Sequence, residues 1–351
     1  MNPSSPTAPS RTLKITLLTI GSRGDVQPYC ALGMGLKRAG HEVTVATNEN
    51  FESFVRQCDL EFVAIAPNIQ EFLQSHQGQR FIAGEKLESA QEQKLLTQQM
   101  QSAWAACQGT DVIIYTPLTN WAYNIAEKLG IPCFFASVIP MTPTGAFGFM
   151  KFAHTAKNPL KKVINYASYF IAEFMYWQRY RELINTYRTE TLQLPPLPYL
   201  GKRFRIKAPA NVARIPVLYG FSSHVIPRPQ DWPVCVVKDV PHDWLLPQVS
   251  AMIHHGGAST TAATLRAGIP SIVVPFFADQ PVWGELLMKL GVSPAPIPYK
   301  KVTEDSLAAV IKVMLGDEAM RLKAQELGEK IRAENGVVNA VAAFHRYLGL
   351  L

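Results

Sequence analysis

Apolar residues recur along this chain in short β-branched runs, with stretches of helical period between them. Thr12 to Ile20 is one such run, followed by the polar, glycine-bearing loop Gly21 to Pro28 and a helical pattern over Tyr29 to Ala39. Gly40 then caps the helix and a second run opens at His41 to Ala46. A strand, a glycine turn, a helix and a further strand make a β-α-β opening, and open α/β sheets take their ligands at the carboxyl end of such a first strand. Further runs at Glu61 to Ala66, Asp111 to Tyr115, Ile131 to Ala136 and Arg214 to Tyr219, separated by helical stretches at Lys86 to Gln108 and Trp121 to Leu129, predict a doubly wound parallel sheet.

Pro227, Pro229 and Pro233 cannot continue a helix or a central strand, which places a linker at 227–233. The predicted organisation is a tail over 1–11, an N-terminal domain over 12–226 and a second domain over 234–351. In the second domain strands are expected at Cys235 to Lys238, Ala251 to His254 and Ser271 to Phe277. Helices are expected at Trp244 to Gln248, Thr260 to Ala267, Pro281 to Leu290, Glu304 to Leu315, Glu318 to Glu334 and Val337 to Tyr347.

With 351 residues, 48% hydrophobic and only 17% charged, the chain has the balance of a folded protein with room for two cores. Its five cysteines, Cys30, Cys58, Cys107, Cys133 and Cys235, stand at no short spacing and read as packed or free thiols, not as a zinc site or a disulfide framework. The Ser/Pro-rich start lacks the apolar core of a secretion signal, and no run reaches the eighteen or so apolar residues that span a bilayer. A cytoplasmic protein is the expectation. The net charge of +7 is concentrated, because residues 151–207 hold eleven Lys/Arg against three Glu, so that the remainder sums to −1. Aromatic and apolar residues are interleaved with these cations, a composition suited to a helix at an anionic membrane surface or to one packed on its own domain with solvated Lys and Arg. Nucleic acid is not expected as a partner.

Chemistry concentrates at two loops. Met252 to Thr261 reads as a strand, the turn His254-His255-Gly256-Gly257 and a helix start, where glycines allow close backbone approach, Ser259 and Thr260 can cap the helix, and unpaired amides face an anion. A capped helix after a buried strand accounts for the same residues without a ligand. Asp25, likewise, can be a helix cap or a carboxylate presented from a turn. His254 reads as a strand-end residue held by hydrogen bonds, and Ser22, Arg23 and Gly24 shape the first loop.

The ordered set Val240-Pro241-His242-Asp243-Trp244, then His254-His255-Gly256-Gly257, then Val274 to Pro281, with Gly21 to Pro28 in front, resembles the GT-B glycosyltransferases. The resemblance is most specific to the sterol and lipid glucosyltransferases and to the enzymes that glycosylate antibiotics. It implies two doubly wound Rossmann-like domains facing a cleft. It also implies inverting transfer of a hexose from a UDP-sugar, commonly UDP-glucose, with no cofactor and no essential metal. On that resemblance Asp25 matches the general base, His255 the diphosphate-binding histidine, and Gly256, Gly257, Ser259 and Thr260 the phosphate-cradling turn. Val240 to His242 matches the uracil-receiving segment, and Asp279 and Gln280 the pair that binds the sugar hydroxyls. One departure stands out: between Trp232 and Cys235 the family opens its donor domain with about two βα units, on the order of 60 residues, that are absent here. The C-terminal domain is therefore expected to be truncated. Ser259, where the family carries glycine, would crowd the phosphate if that position needs positive φ. Two functions follow: hexosyl transfer to a lipid-like acceptor such as a sterol, or a remnant that binds acceptor or membrane and has lost its donor.

Overall fold

The structure, a computed structural model, describes residues 11–67, 89–156, 158–201, 211, 215–232 and 251–350. These fall into two compact units. The first comprises residues up to Ser137, Glu173–Leu218 and Ala340–Leu351; the second comprises Val138–Ala172 and Tyr219–Asn339.

The first unit is built on a six-stranded sheet. Its strands are β1 (Lys14–Leu18), β2 (Glu42–Thr47), β3 (Glu61–Ala64), β4 (Val112–Tyr115), β5 (Cys133–Ser137) and β6 (Val217–Tyr219), in the order β3-β2-β1-β4-β5-β6. That is the doubly wound order, with the switch point between β1 and β4. The pairings β3–β2, β2–β1, β1–β4 and β4–β5 are all parallel, with Leu17 opposite Val45 on one side and Ile114 on the other. Strands buried on both faces are largely apolar, which is why β4 reads Val-Ile-Ile-Tyr and β1, beyond the exposed Lys14, reads Ile-Thr-Leu-Leu. Helix α1 (Arg23–Arg38) connects β1 to β2, and α2 (Glu52–Gln57) leads into β3. Then α3 (Ser89–Ala106) precedes β4, and α4 (Tyr123–Leu129) precedes β5. The core gathers Met100, Ile113, Tyr115, Trp121, Ile125 and Tyr187 behind the sheet.

Helix α1 begins six residues before the expected start at Tyr29. The expected loop residues Arg23 to Pro28 are its first turns, with Pro28 inside the helix. Proline has no N–H to donate and crowds the carbonyl four residues back, so the sequence reads there as a stop. Pro28 is the sixth helical residue and has no N–H to offer the Gly24 carbonyl, while Ser22 and Asp25 brace the first turn by reciprocal hydrogen bonding.

Helix α5 (Pro159–Thr186) is the longest of the described residues. In the second unit β7 (Met252–His254) pairs in parallel with β8 (Ser271–Val273), His254 opposite Val273. Helix α6 (Ala258–Ala267) follows β7, and α7 (Gln280–Leu290) follows β8. The remaining helices are α8 (Glu304–Gly316), α9 (Glu318–Ala333) and α10 (Gly336–Leu348). β8 stops at Val273, short of the expected Phe277, because Pro275 ends the ladder. The strand and helix expected at 235–238 and 244–248, with Val240, His242 and Cys235, lie outside the described residues. Among the described residues Cys30, Cys58, Cys107 and Cys133 form no disulfide. Among the described residues no helix is long and apolar enough to cross a membrane.

Candidate functional site

The first loop sits at the carboxyl end of β1. Ser22 is the N-cap of α1, and its backbone N–H and its Oγ each donate to Asp25 Oδ2 at 2.8 Å. The capping role weighed for Asp25 is therefore real, though it is played from the third helical position and not at the cap. Asp25 lies over Gly21: a Cβ on that residue, whose φ is +127°, would stand 2.5 Å from Asp25 Oδ2. Only glycine combines that backbone with that approach. Burial raises the Asp25 carboxyl above the usual carboxylate range, and the Ser22 hydrogen bonds oppose the rise. A carboxylate desolvated in this way is a better proton acceptor than one in water.

Two partners that sequence reasoning missed hold the loop. The Gly21 N–H donates to Oδ1 of the fully buried Asn48 at 3.2 Å, and the Thr19 hydroxyl donates to the carbonyl of Asp25. Asn48 follows β2, next to β1 in the sheet, so its role depends on a strand pairing and left no local signal in the sequence. Arg23, expected to shape the loop, is the first residue of α1, with its guanidinium 4.9 Å from the centre of the Phe54 ring and Nε donating to Gln27 Oε1 at 3.3 Å.

The second unit carries the other loops at the carboxyl ends of the neighbouring parallel strands β7 and β8. His254 is buried; its Nδ1 accepts the Gly256 N–H at 3.1 Å, which leaves the ring proton on Nε2, a buried atom with no partner among the described residues. Burial first, and His255 second, hold its pKa down to about 4, so His254 is neutral near pH 7. Gly256, at φ +88°, turns the chain where a Cβ would stand 2.6 Å from Val273 and 2.9 Å from the Gln280 carbonyl, so the two loops lie against each other.

Gly257 is the N-cap of α6 and receives no side-chain cap; Ser259 and Thr260 are helical residues and do not cap. That corrects the expected capping. It also removes the crowding expected at Ser259, which adopts ordinary helical backbone, while positive φ falls on Gly256. The exposed His255 imidazole lies over this helix end, since a Cβ on Gly257 would meet His255 Nε2 at 2.5 Å. A ring N–H and the positive end of the helix dipole thus converge on one spot, an arrangement suited to an anion.

Asp279 is the N-cap residue of α7, and its Oδ2 accepts the Trp283 indole N–H at 2.8 Å. The buried Gln280 accepts the Phe276 and Phe277 N–H groups on Oε1, at 2.8 and 3.2 Å. Its amide NH₂ remains the donating end of the side chain. Ala278 between them is held at φ +57°, a conformation that costs energy in a residue with a Cβ and that collects at ligand sites.

Comparison with known proteins agrees in both halves of the chain. The model of the glycosyltransferase family 28 N-terminal domain matches residues 15–147. The model of the erythromycin biosynthesis protein CIII-like C-terminal domain matches residues 225–343. A sterol 3-beta-glucosyltransferase of Arabidopsis thaliana is 29% identical, an alignment covering 96% of this chain and 68% of that protein. A sterol 3-beta-glucosyltransferase of Debaryomyces hansenii is 30% identical, over 96% of this chain but only 27% of its own length. Both alignments run over 432 positions, more than the 351 residues present here. Among solved structures, CalG4, the calicheamicin glycosyltransferase, superposes with a TM-score of 0.56 at 17% identity, covering 97% of this chain and 99% of its own. Glycosyltransferase VinC, solved in complex with DTDP, gives 0.58 at 16% identity, covering 95% and 99%.

Proposed function

Because the chain belongs to the GT-B glycosyltransferases, we propose that it transfers a hexose from a UDP-sugar, UDP-glucose foremost, to the hydroxyl of a lipid-like acceptor such as a sterol, with inversion at C1. The segment 12–226 takes the acceptor and the segment after 234 takes the donor. The observation that carries the reading is the convergence of His255 and the α6 N-terminus beside Gly257. When the C1–oxygen bond to the diphosphate breaks, the electron pair leaves with UDP. Helix amides and an imidazole N–H fixed at that place stabilise the growing charge without needing a metal. Asp25, desolvated and oriented by Ser22, takes the proton of the acceptor hydroxyl as its oxygen bonds to C1. Asp279 and Gln280 bind sugar hydroxyls from the rim of the same turn, and Val240 and His242 receive the base.

The test is a transfer assay with UDP-glucose and a mixed lipid extract, read as mass gain on the acceptor. Asp25→Asn is expected to leave UDP binding unchanged in calorimetry while lowering kcat by about 10²–10⁴-fold, the range of general-base catalysis. Undiminished transfer by the variant removes Asp25 from the mechanism. A second reading, a remnant that keeps acceptor binding and has lost the donor, is favoured by the 432 aligned positions, which give the relatives residues without a counterpart here. No heat on titration with millimolar UDP selects it.

A further inference from the structure

Within the second unit, the first turns of α5 leave one face without a protein partner among the described residues. Leu160, Val163, Ile164 and Ile171 are 70, 66, 58 and 59% exposed, and Tyr166 beside them is 46% exposed. The spacing of i, i+3, i+4 and i+11 puts the four aliphatic residues on one stripe, about 16 Å long at 1.5 Å per residue. Asn165 and Tyr169, on the opposite face, are buried, so the stripe is the outward side of a packed helix.

At the start of the stripe an open cavity of about 740 Å³ is lined by Lys151, His154, Asn158 and Lys161 together with Leu160 and Ile164. The carboxylate in that lining, Glu285, is already engaged: its Oε2 lies 2.5 Å from His154 Nε2, and Lys289 Nζ stands 3.0 Å from the other ring nitrogen. Lys151 and Lys161 are therefore the cations that the cavity offers to an incoming anion.

We propose that this face docks on an anionic phospholipid bilayer, with the aliphatic stripe in the acyl boundary and a lipid phosphate against Lys151 and Lys161 in the cavity. Charge selects the occupant. A second copy would set the exposed Lys151 and Lys161 of one chain against their own counterparts, whereas an anionic surface is complementary to them. The aliphatic stripe between cations supplies the burial that gives such a helix its hold on the interface. This docking is independent of the chemistry proposed above, because it is measured with no sugar donor present.

The experiment is co-sedimentation at low salt with phosphatidylcholine vesicles that contain phosphatidylglycerol. The unmodified protein is expected in the pellet, and in the supernatant with phosphatidylcholine alone. Ile164→Glu with Ile171→Glu, both at exposed positions, is expected to lower the partition coefficient by about a hundredfold through withdrawal of two apolar side chains. Lys151→Gln with Lys161→Gln is expected to lower it by roughly thirtyfold and to flatten its salt dependence. Circular dichroism checks that each variant is folded. The proposal is overturned if the unmodified protein stays in the supernatant with anionic vesicles, or if the isoleucine variant sediments as before. It is equally overturned if sedimentation equilibrium shows a dimer that the isoleucine variant abolishes, since the face would then belong to a second copy.

Discussion

The chemistry of the two loops depends on what glycine leaves out. At Gly21 the missing Cβ is the space that Asp25 Oδ2 occupies, and at Gly257 it is the space that the His255 ring occupies. Gly257 has φ −64° and ψ 143°, which alanine adopts without strain. Gly257→Ala is therefore expected to move the imidazole off the helix end and little else. It should weaken UDP binding by about tenfold, the loss of one charge-assisted hydrogen bond, while the thermal unfolding midpoint holds. Calorimetry checks it, and the effect should not add to that of His255→Ala, because both remove one interaction. Asp25, His255 and the glycines were legible in the sequence as motifs on short turns. Asn48 and Thr19 were not, since each acts on the loop only after the chain has folded around it.

At the scale of elements, the strands were legible because a sheet buried on both faces needs largely apolar runs, while their ends were less so, as Pro275 shows. One tie between elements has no local signature. Arg188, fully buried in the helical turn that follows α5, makes paired hydrogen bonds to Glu127 of α4 at 2.9 and 3.1 Å. It donates also to Asn124 Oδ1 at 2.6 Å and to the Pro195 carbonyl at 2.9 Å. Two ions taken out of water hold together only while every partner is present. Glu127→Ala leaves a buried guanidinium unmatched and is expected to cost about 3–5 kcal/mol of stability, read from the shift of the urea unfolding curve. Charged residues read as surface in a sequence, and these two, 61 residues apart, give no sign that they meet.

At the scale of the whole molecule, residues 304 apart in the chain share one hydrogen bond. The Leu13 N–H donates to His41 Nδ1 at 3.2 Å, so neutral His41 carries its proton on Nε2, facing His345 Nε2 of α10 at 2.8 Å. Phe344 packs on Phe134 of β5 beside them, with ring centres 4.8 Å apart. Burial, with His345 adding, holds His41 down to about 4, and burial lowers His345 as well. The unfolded chain binds protons near pH 6.5 that the folded one refuses, so stability rises with pH across this window. The contribution is complete above the ordinary histidine value and is lost as the pH falls toward 4. Urea midpoints measured between pH 7 and pH 4 are expected to decline, and His41→Gln is expected to flatten the decline. The sequence placed His41 at a strand start and had no means of pairing it. By itself the sequence determined the alternation of strands and helices, the doubly wound sheet and the two glycine turns, because periodicity, capping and turn chemistry act within a few residues. Only tertiary structure decided where α1 begins, which atoms brace Asp25, that His255 lies over the α6 end, that Arg188 meets Glu127, and which side of α5 faces out, because each depends on groups brought together by packing.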